Sequence, residues 1–126
     1  FTFIDQAEKY LTANPADYTL HWELAMAYKY TGLHQKQYEN FLKYFGFKEA
    51  IKSSGDGLSP NSAYLILYTS HEYDLLGNSI ILKSERRSFE NKVYDVITIR
   101  DKNEVSAKYY FNISPLYSKT QDNRRK

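Results

Sequence analysis

The chain has 126 residues, of which 42% are apolar, 25% are charged and 17% are aromatic. This composition is ordinary for a soluble globular protein, and the length suits one domain or two small parts that share a core. The formal net charge of +2 is too small to indicate a nucleic-acid or acidic-membrane partner. Cysteine is absent, which excludes disulfides, thiolate metal sites and cysteine nucleophiles. No apolar run approaches the ~20 residues needed to cross a bilayer.

Three helices are predicted in the first part of the chain, residues 1–54. Apolar residues at helical spacing, stopped by Asn14-Pro15, indicate the first helix. Asp17 can cap the second helix, and Gly32 can end it as a left-handed residue. The third helix is predicted from about residue 35 to residue 52 and carries two apolar stripes, so that one stripe needs a partner other than the preceding helix. These stripes are Tyr38, Phe41, Leu42 and Phe45, and Tyr44, Phe47 and Ile51.

The stretch NPADYTLHWELAMAYKYTGLHQKQYENF, residues 14–41, resembles a tetratricopeptide-type repeat. The match is partial, because Gln37 and Tyr44 stand where small alanines are usual and the tryptophan is displaced to Trp22. A single helical pair cannot bury both of its own faces. Either further repeats precede Phe1, or one helical hairpin docks on another unit. The matching residues are Pro15, Leu24, Ala25, Tyr28, Gly32 and Phe41.

A connector is predicted at residues 55–61, because Gly, Ser, Asp and Pro cluster in SSGDGLSP. It leads to a second part, residues 62–118. The GDG motif at 55–57 lacks the lysine and the strand-before, helix-after context of a phosphate loop, and is not predicted to bind phosphate. Ser59 and Pro60 favour the cap and the first position of a short helical turn.

Three reactive side chains, His71, Glu72 and Asp74, follow directly after an apolar run of strand length at 63–68. A zinc-protease motif would need a second histidine four residues after His71, where Leu75 stands instead. The remaining histidines lie in the helical part. No metal site and no cofactor is therefore predicted.

The same stretch is interpreted as the start of a short helix. Thr69 and Glu72 have the spacing of a capping box, and acidic residues in the first turn are favoured by the helix dipole. Tyr73 and Leu76 should face inward, and Gly77 should end the helix.

A β-hairpin is predicted near the end of the second part from two runs that alternate in hydrophobicity. Because opposite residues of an antiparallel pair share a face, joining two odd-numbered faces requires a loop of odd length. A three-residue turn at 101–103 fits, with Asn103 at positive φ, and it places Asp95 opposite Tyr109. Asp95 would be either a catalytic acid or a buried carboxylate bonded to a tyrosine or a backbone amide. The alternating positions are Val93, Asp95, Ile97 and Ile99, and Val105, Ala107, Tyr109, Phe111 and Ile113.

Four pieces of the sequence occur in the order SGDGLSPNSAY, SHEYDLL, YDVITIRD and YYFNISPLY. Together they resemble the bacterial domain-of-unknown-function family numbered forty-nine nineteen, over residues 20–117. The resemblance implies an exported protein, periplasmic or at the cell surface. Since the family has no assigned activity, it carries no catalytic residue over to this chain. Asn112 stands where an aspartate is expected in YFDIS, which removes a carboxylate and weakens a hydrolase hypothesis.

The fold class predicted from these elements is α+β, with antiparallel tetratricopeptide-like helices packed on a small, mainly antiparallel sheet and one short helix. Residues 79–82 and 87–89 can add a strand, and residues 119–126 are predicted to be a disordered tail. The second stripe of the third helix, Tyr44, Phe47 and Ile51, is predicted to pack against the second part.

Three functions compete. The first is a non-enzymatic interaction or scaffold module that binds protein or peptide, with Trp22 and Tyr30 as candidate surface residues. The second is a small hydrolase that uses His71, Glu72 and Asp95, which requires these groups to converge on one cleft. The third, nucleic-acid binding, is not favoured because acidic residues dilute the basic patch; the sequence does not indicate an oligomeric state. The basic residues concerned are Arg86, Arg87, Arg124, Arg125 and Lys126.

Overall fold

The structure, a computed structural model, describes residues 2–117. The chain forms two compact units, a helical unit that ends at Ala50 and a sheet unit that begins at Ile51. The α+β class is confirmed, with helices first and a mainly antiparallel sheet after them. Among the described residues, no helix is both long enough and apolar enough to span a membrane. The elements are α1 (Phe3–Ala13), α2 (Thr19–Tyr30), α3 (His34–Lys52), a 3₁₀ turn (Pro60–Ser62), β1 (Tyr64–Leu65), α4 (Thr69–Leu76), β2 (Ile80–Phe89), β3 (Lys92–Arg100) and β4 (Ser106–Asn112).

The core of the helical unit lies where α1 packs on α2. Thr2 caps α1, because its hydroxyl accepts a hydrogen bond from the backbone N–H of Asp5 at 3.3 Å. Apolar spacing along both helices places the larger side chains on one face, as the sequence predicted. The core consists of Ala7, Leu11, Leu24 and Tyr28, with Ile4 and Leu20 packed against it.

The start of α2 differs from the prediction that Asp17 caps it. The N-cap residue is Tyr18, whose side chain makes no cap bond and whose buried ring lies 5.5 Å from that of Tyr44. Asp17 instead accepts a 2.7 Å hydrogen bond from the hydroxyl of Tyr10 on α1. The helix therefore begins after a buried aromatic residue and not after a side-chain cap. At the other end Gly32 has a φ of +77°, as the sequence predicted.

The two apolar stripes of α3 have different surroundings. Tyr44 packs on the ring of Trp22 at 5.2 Å, and Phe47 stacks on His21 with ring centroids 6.4 Å apart. That Tyr44, Phe47 and Ile51 also pack against the second part stays a prediction. Much of the other stripe is exposed to solvent: Tyr38 at 60%, and Leu42 and Phe45 at 53%.

The sheet of the second unit has the strand order β1-β4-β3-β2. β1 pairs in parallel with β4, and the other two pairings are antiparallel. The apolar run at 63–68 supplies only the two-residue strand β1. The buried apolar side chains of this unit include Ile66, Leu76, Val96, Ile97, Ile99, Phe111 and Ile113.

The segment predicted as a connector is hydrogen-bonded to this sheet. The backbone N–H of Gly57 donates to the carbonyl of Ser62 at 2.8 Å, and the Gly57 carbonyl accepts from the N–H of Tyr110 at 2.7 Å. Gly57 has a φ of +74°, and a Cβ there would collide with the ring of Tyr64. The turn predicted after Ser59 is confirmed as the 3₁₀ turn, with Ser59 at its N-cap.

β3 and β4 form the predicted hairpin in another register. Asp95 lies opposite Phe111, not opposite Tyr109 as predicted. The loop spans 101–105, because Arg100 pairs with Ser106. This loop has five residues where three were predicted. Because both lengths are odd, odd-numbered residues of β3 still lie opposite odd-numbered residues of β4, and the register differs from the predicted one by two residues.

The loop is longer because a side chain organises it. Asp101 Oδ1 accepts hydrogen bonds from the backbone N–H groups of Asn103 at 2.8 Å and Val105 at 2.9 Å. Positive φ falls on Glu104, at +62°, and not on Asn103 as predicted. Such side-chain bonds to the backbone give the chain a compact alternative to a three-residue turn.

β2 is a single ten-residue strand, where the sequence indicated strand only at 79–82 and 87–89. It joins β3 through a turn in which Glu90 and Asn91 have φ values of +49° and +64°, as in the tight turns that favour two-residue hairpins. A register shift next to Leu82 marks a bulge. The charged residues in its middle hide this strand from a hydrophobicity pattern.

Candidate functional site

The helix α4 begins one residue earlier than a capping box at Thr69 requires. Its N-cap is Tyr68, with no side-chain cap bond, so Thr69 is the first helical residue and the predicted box is wrong. Glu72 then occupies the fourth helical position, from which its carboxyl turns inward and is only 2% exposed. Tyr73, predicted to face inward, is 57% exposed. Gly77 ends the helix at positive φ, as predicted.

Glu72 forms a carboxyl pair with Asp95 of β3. Burial, the hydrogen bond with Asp95 and the negative charge of Asp95 together raise the pKa of Glu72 to about 8, against the opposing effect of Arg86. At neutral pH Glu72 is therefore protonated and can donate to the Asp95 carboxylate. The second oxygen of Glu72, Oε2, is buried without a hydrogen-bond partner among the described residues.

An arginine completes the charge balance of this pair. Arg86 lies directly opposite Asp95 on β2, and its Nε donates to Asp95 Oδ1 at 3.2 Å. The same guanidinium donates to the hydroxyl of Tyr117 at 2.7 Å and lies over that ring. Neither Glu72 nor Arg86 was predicted from the sequence as a partner of Asp95, although a two-residue turn at 90–91 would have placed Arg86 opposite Asp95.

His71 is fully buried, and its ring lies 5.3 Å from that of Tyr68. The structure therefore brings Glu72 and Asp95 together, whereas the described contact of the buried His71 ring is with Tyr68. Two cavities of the sheet unit, of about 130 and 370 Å³, are lined by other residues. Within residues 2–117, no group of three or more His, Asp or Glu side chains is arranged to hold a metal ion.

The helical unit presents an aromatic face, defined as Trp22, Tyr38, Leu42 and Phe45. The Trp22 ring lies 6.5 Å from that of Phe45 and 5.1 Å from that of the half-buried Phe41. Trp22 itself is 43% exposed. Tyr30, the other predicted surface residue, is exposed at the end of α2.

A groove of about 450 Å³ also lies within the helical unit, between residues of α1, α2 and α3. His21 on its lining shares a 2.9 Å hydrogen bond with Asn40, and burial lowers the pKa of His21. Phe47 lies on the same lining. Glu8, Lys36, Glu39 and Lys43 supply acidic and basic groups, so the groove has no single charge.

Two of the arginines on which the nucleic-acid hypothesis rested, Arg86 and Arg87, form ion pairs with carboxylates. Arg86 bonds to Asp95, and Arg87 Nε donates to Glu85 at 2.9 Å. Lys83 also pairs with Glu85. The remaining basic residues of that hypothesis, at 124–126, and the predicted tail at 119–126 lie outside the described residues.

Comparison with known proteins gives one family. Neither the curated proteins nor the solved structures contain a significant match to this chain. The model of a domain of unknown function, DUF4919, matches residues 2–122. This match covers nearly the whole chain and agrees with the resemblance seen in its four sequence pieces. The chain belongs to the DUF4919 family.

Proposed function

We propose that this protein is a non-enzymatic interaction module whose aromatic face binds the apolar face of an amphipathic helix from another protein. The observation that carries this proposal is the exposure of Tyr38, Leu42 and Phe45 along one side of α3, next to the exposed ring of Trp22, which lies 6.5 Å from that of Phe45. Single exposed apolar residues are common, whereas contiguous ones mark interaction sites. Tryptophan and tyrosine are also the residues that most often dominate binding energy at interfaces.

The shape of the aromatic face suits a helix. Tyr38, Leu42 and Phe45 recur at i, i+4 and i+7 along α3, which forms a ridge that another helix can accommodate in its grooves. The tetratricopeptide-like pattern of α2 and α3 supports the same proposal, because such hairpins bury their outer faces only against a further element.

The alternative function, a small hydrolase that uses His71, Glu72 and Asp95, has one supporting observation. The raised pKa of Glu72 would keep a general acid protonated at neutral pH. However, Glu72 and Asp95 are almost fully buried, and neither cavity of the sheet unit is lined by them. The low exposure of both carboxyl groups disfavours contact with a substrate, so the geometry favours the interaction module.

The interaction is proposed to take place outside the cytoplasm, in the periplasm or at the cell surface of a bacterium. The support is the resemblance of the four sequence pieces to a family of exported proteins. Fractionation of cells that produce the native protein tests this location. Recovery of the protein in the cytosolic fraction alone would contradict it.

The binding proposal is tested by changing two residues of the aromatic face, Leu42 and Phe45, that are each 53% exposed. Leu42→Ser combined with Phe45→Ser should abolish capture of a partner from native extract, because it removes the centre of the apolar ridge. The captured protein, once purified, should shift the fluorescence of Trp22, the single tryptophan of the chain. Thermal unfolding of the variant shows whether the fold survives.

The matched control is Tyr73→Ser, which removes an aromatic ring that is 57% exposed on α4. This variant should capture the partner as the wild type does. Equal capture by the wild type and the Leu42/Phe45 variant would show that the aromatic face is not the binding surface.

A further inference from the structure

The edge strand β2 has an unpaired side. Within residues 2–117, β3 is its only neighbour in the sheet. Of its ten residues, nine are exposed to solvent. Apolar side chains stand at both ends of the strand, where Ile80, Ile81, Leu82 and Phe89 are between 41% and 52% exposed. Unpaired backbone N–H and C=O groups on such an edge can form a ladder with another strand.

The middle of β2 carries alternating charge. Lys83, Glu85 and Arg87 lie opposite even-numbered residues of β3, on the face of the sheet away from Asp95. Glu85 pairs with both basic neighbours along the strand. Charged side chains on an edge protect against indiscriminate pairing, but they leave open a partner whose charges match.

A second copy of the chain provides that match, and one register provides it without placing like charges opposite each other. In an antiparallel pair related by a two-fold axis, opposite residues share a face, so their numbers must add to an even sum. An axis at Ser84 places Lys83 opposite Glu85 of the other copy, twice. An axis at Glu85 would place two glutamates opposite each other and Lys83 opposite Arg87. An axis at Arg86 would place Glu85 opposite Arg87, twice, but at the cost of two arginines opposite each other. Like charges directly opposite are destabilising.

We propose that β2 is a self-association surface, at which two copies of the chain pair their β2 strands antiparallel about Ser84. The ladder extends from Leu82 to Arg86 of each copy, because the bulge next to Leu82 interrupts the regular edge on one side. So short a ladder gives a weak, transient dimer. The surface is independent of the aromatic face proposed for partner binding.

Charge reversal tests the register in the full-length protein. Sedimentation velocity from micromolar to near-millimolar concentration should show a concentration-dependent dimer. Lys83→Glu should raise its dissociation constant by about five- to thirtyfold, because two opposite-charge pairs become two like-charge pairs. Glu85→Lys should do the same, and the double variant Lys83→Glu/Glu85→Lys should restore association. Under the Arg86 axis, Lys83 would lie opposite Phe89, so Lys83→Glu would create no new pair of like charges and should not weaken the dimer in this way.

Cross-linking tests the axis itself, and the absence of native cysteine makes single-cysteine variants unambiguous. Ser84→Cys should form an intermolecular disulfide on mild oxidation, since opposite Cα atoms in an antiparallel pair lie about 4.5–5.5 Å apart. Ser88→Cys, also exposed on β2, is the control, because its two copies would be about 26 Å apart in this register. A monomer at every concentration, or equal cross-linking of the two variants, would overturn the proposal.

Discussion

The carboxyl group of Glu72 couples the stability of the sheet unit to pH. Its pKa is about 8 in the folded protein, against an ordinary value of 4.5. Between these values the folded protein retains a proton that the unfolded chain has released. The stabilisation that comes from this proton is fully present below about pH 4.5 and is lost as the pH rises through about 8.

Glu72→Gln should remove this part of the pH dependence, because glutamine keeps a donor for Asp95 and cannot ionise. The difference in unfolding free energy between wild type and variant should fall with rising pH, by at most about 1.4 kcal/mol per pH unit for one proton. Urea unfolding from pH 5 to pH 9 measures this difference. The other ionisable groups are present in both proteins, so their contributions cancel when the two unfolding free energies are subtracted. Parallel curves for the two proteins would contradict the assignment of the proton to Glu72.

A second variant tests the cause of the shift. Asp95→Asn removes the negative charge that opposes ionisation of Glu72, so the pH-dependent step should move to lower pH. The same change leaves the guanidinium of Arg86 without its carboxylate and should lower stability at every pH. The two effects separate because only the first alters the position of the step.

The sequence located Glu72 and Asp95 as unusual residues but did not bring them together. A glutamate three residues after a threonine fits a capping box. The sequence therefore predicted a role for Glu72 at the helix start, and gave no reason to expect a partner on a distant strand. Its real position follows from the start of α4 at Thr69, one residue away, which turns the side chain by about 100° around the helix. Contacts such as that of Arg86 with Tyr117 depend on the assembled sheet and have no local signal.

At the scale of elements, the loop between β3 and β4 shows how one side chain decides a register. Asp101→Ala removes the acceptor of two backbone N–H groups and should lower the unfolding free energy by about 1 kcal/mol. Asp101→Asn, which keeps an oxygen acceptor, should retain most of the stability. Urea unfolding at constant pH measures both variants; equal destabilisation by alanine and asparagine would show that the loop bonds are not the cause.

Periodicity predicted some elements well and others poorly, for a physical reason. α1 and α2 were predicted because each has one buried side, which imposes a period of 3.6 on the sequence. β3 is buried on both faces from Tyr94 to Ile97, and its alternation was still visible because polar Asp95 and Thr98 interrupt the apolar run. β2 has almost no buried side, so its residues carry no such alternation and only fragments were predicted. For β1 the prediction was too long: the apolar run at 63–68 was predicted as a strand, and only Tyr64 and Leu65 form one.

At the scale of the whole molecule, α3 belongs to both compact units. It runs without a break from His34 to Lys52, whereas the units divide between Ala50 and Ile51. Ile51 is buried, so the last turn of the helix is held by side-chain packing. Helices propagate cooperatively along their length. Loss of structure in one unit should therefore be transmitted through α3 to the other.

We expect the chain to unfold in a single transition as a consequence. Trp22 lies in the helical unit and is the single tryptophan, so its fluorescence reports on that unit, while amide exchange in β3 and β4 reports on the other. Both probes should give the same midpoint in urea. Ile51→Ala should lower the midpoint seen by both probes, because truncating a buried isoleucine lowers the unfolding free energy by about 2–5 kcal/mol.

The segment around Gly57 should resist proteolysis, because Gly57 is hydrogen-bonded to Ser62 and Tyr110. Two separate midpoints, or rapid cleavage near Gly55 into two folded halves, would show that the units unfold independently.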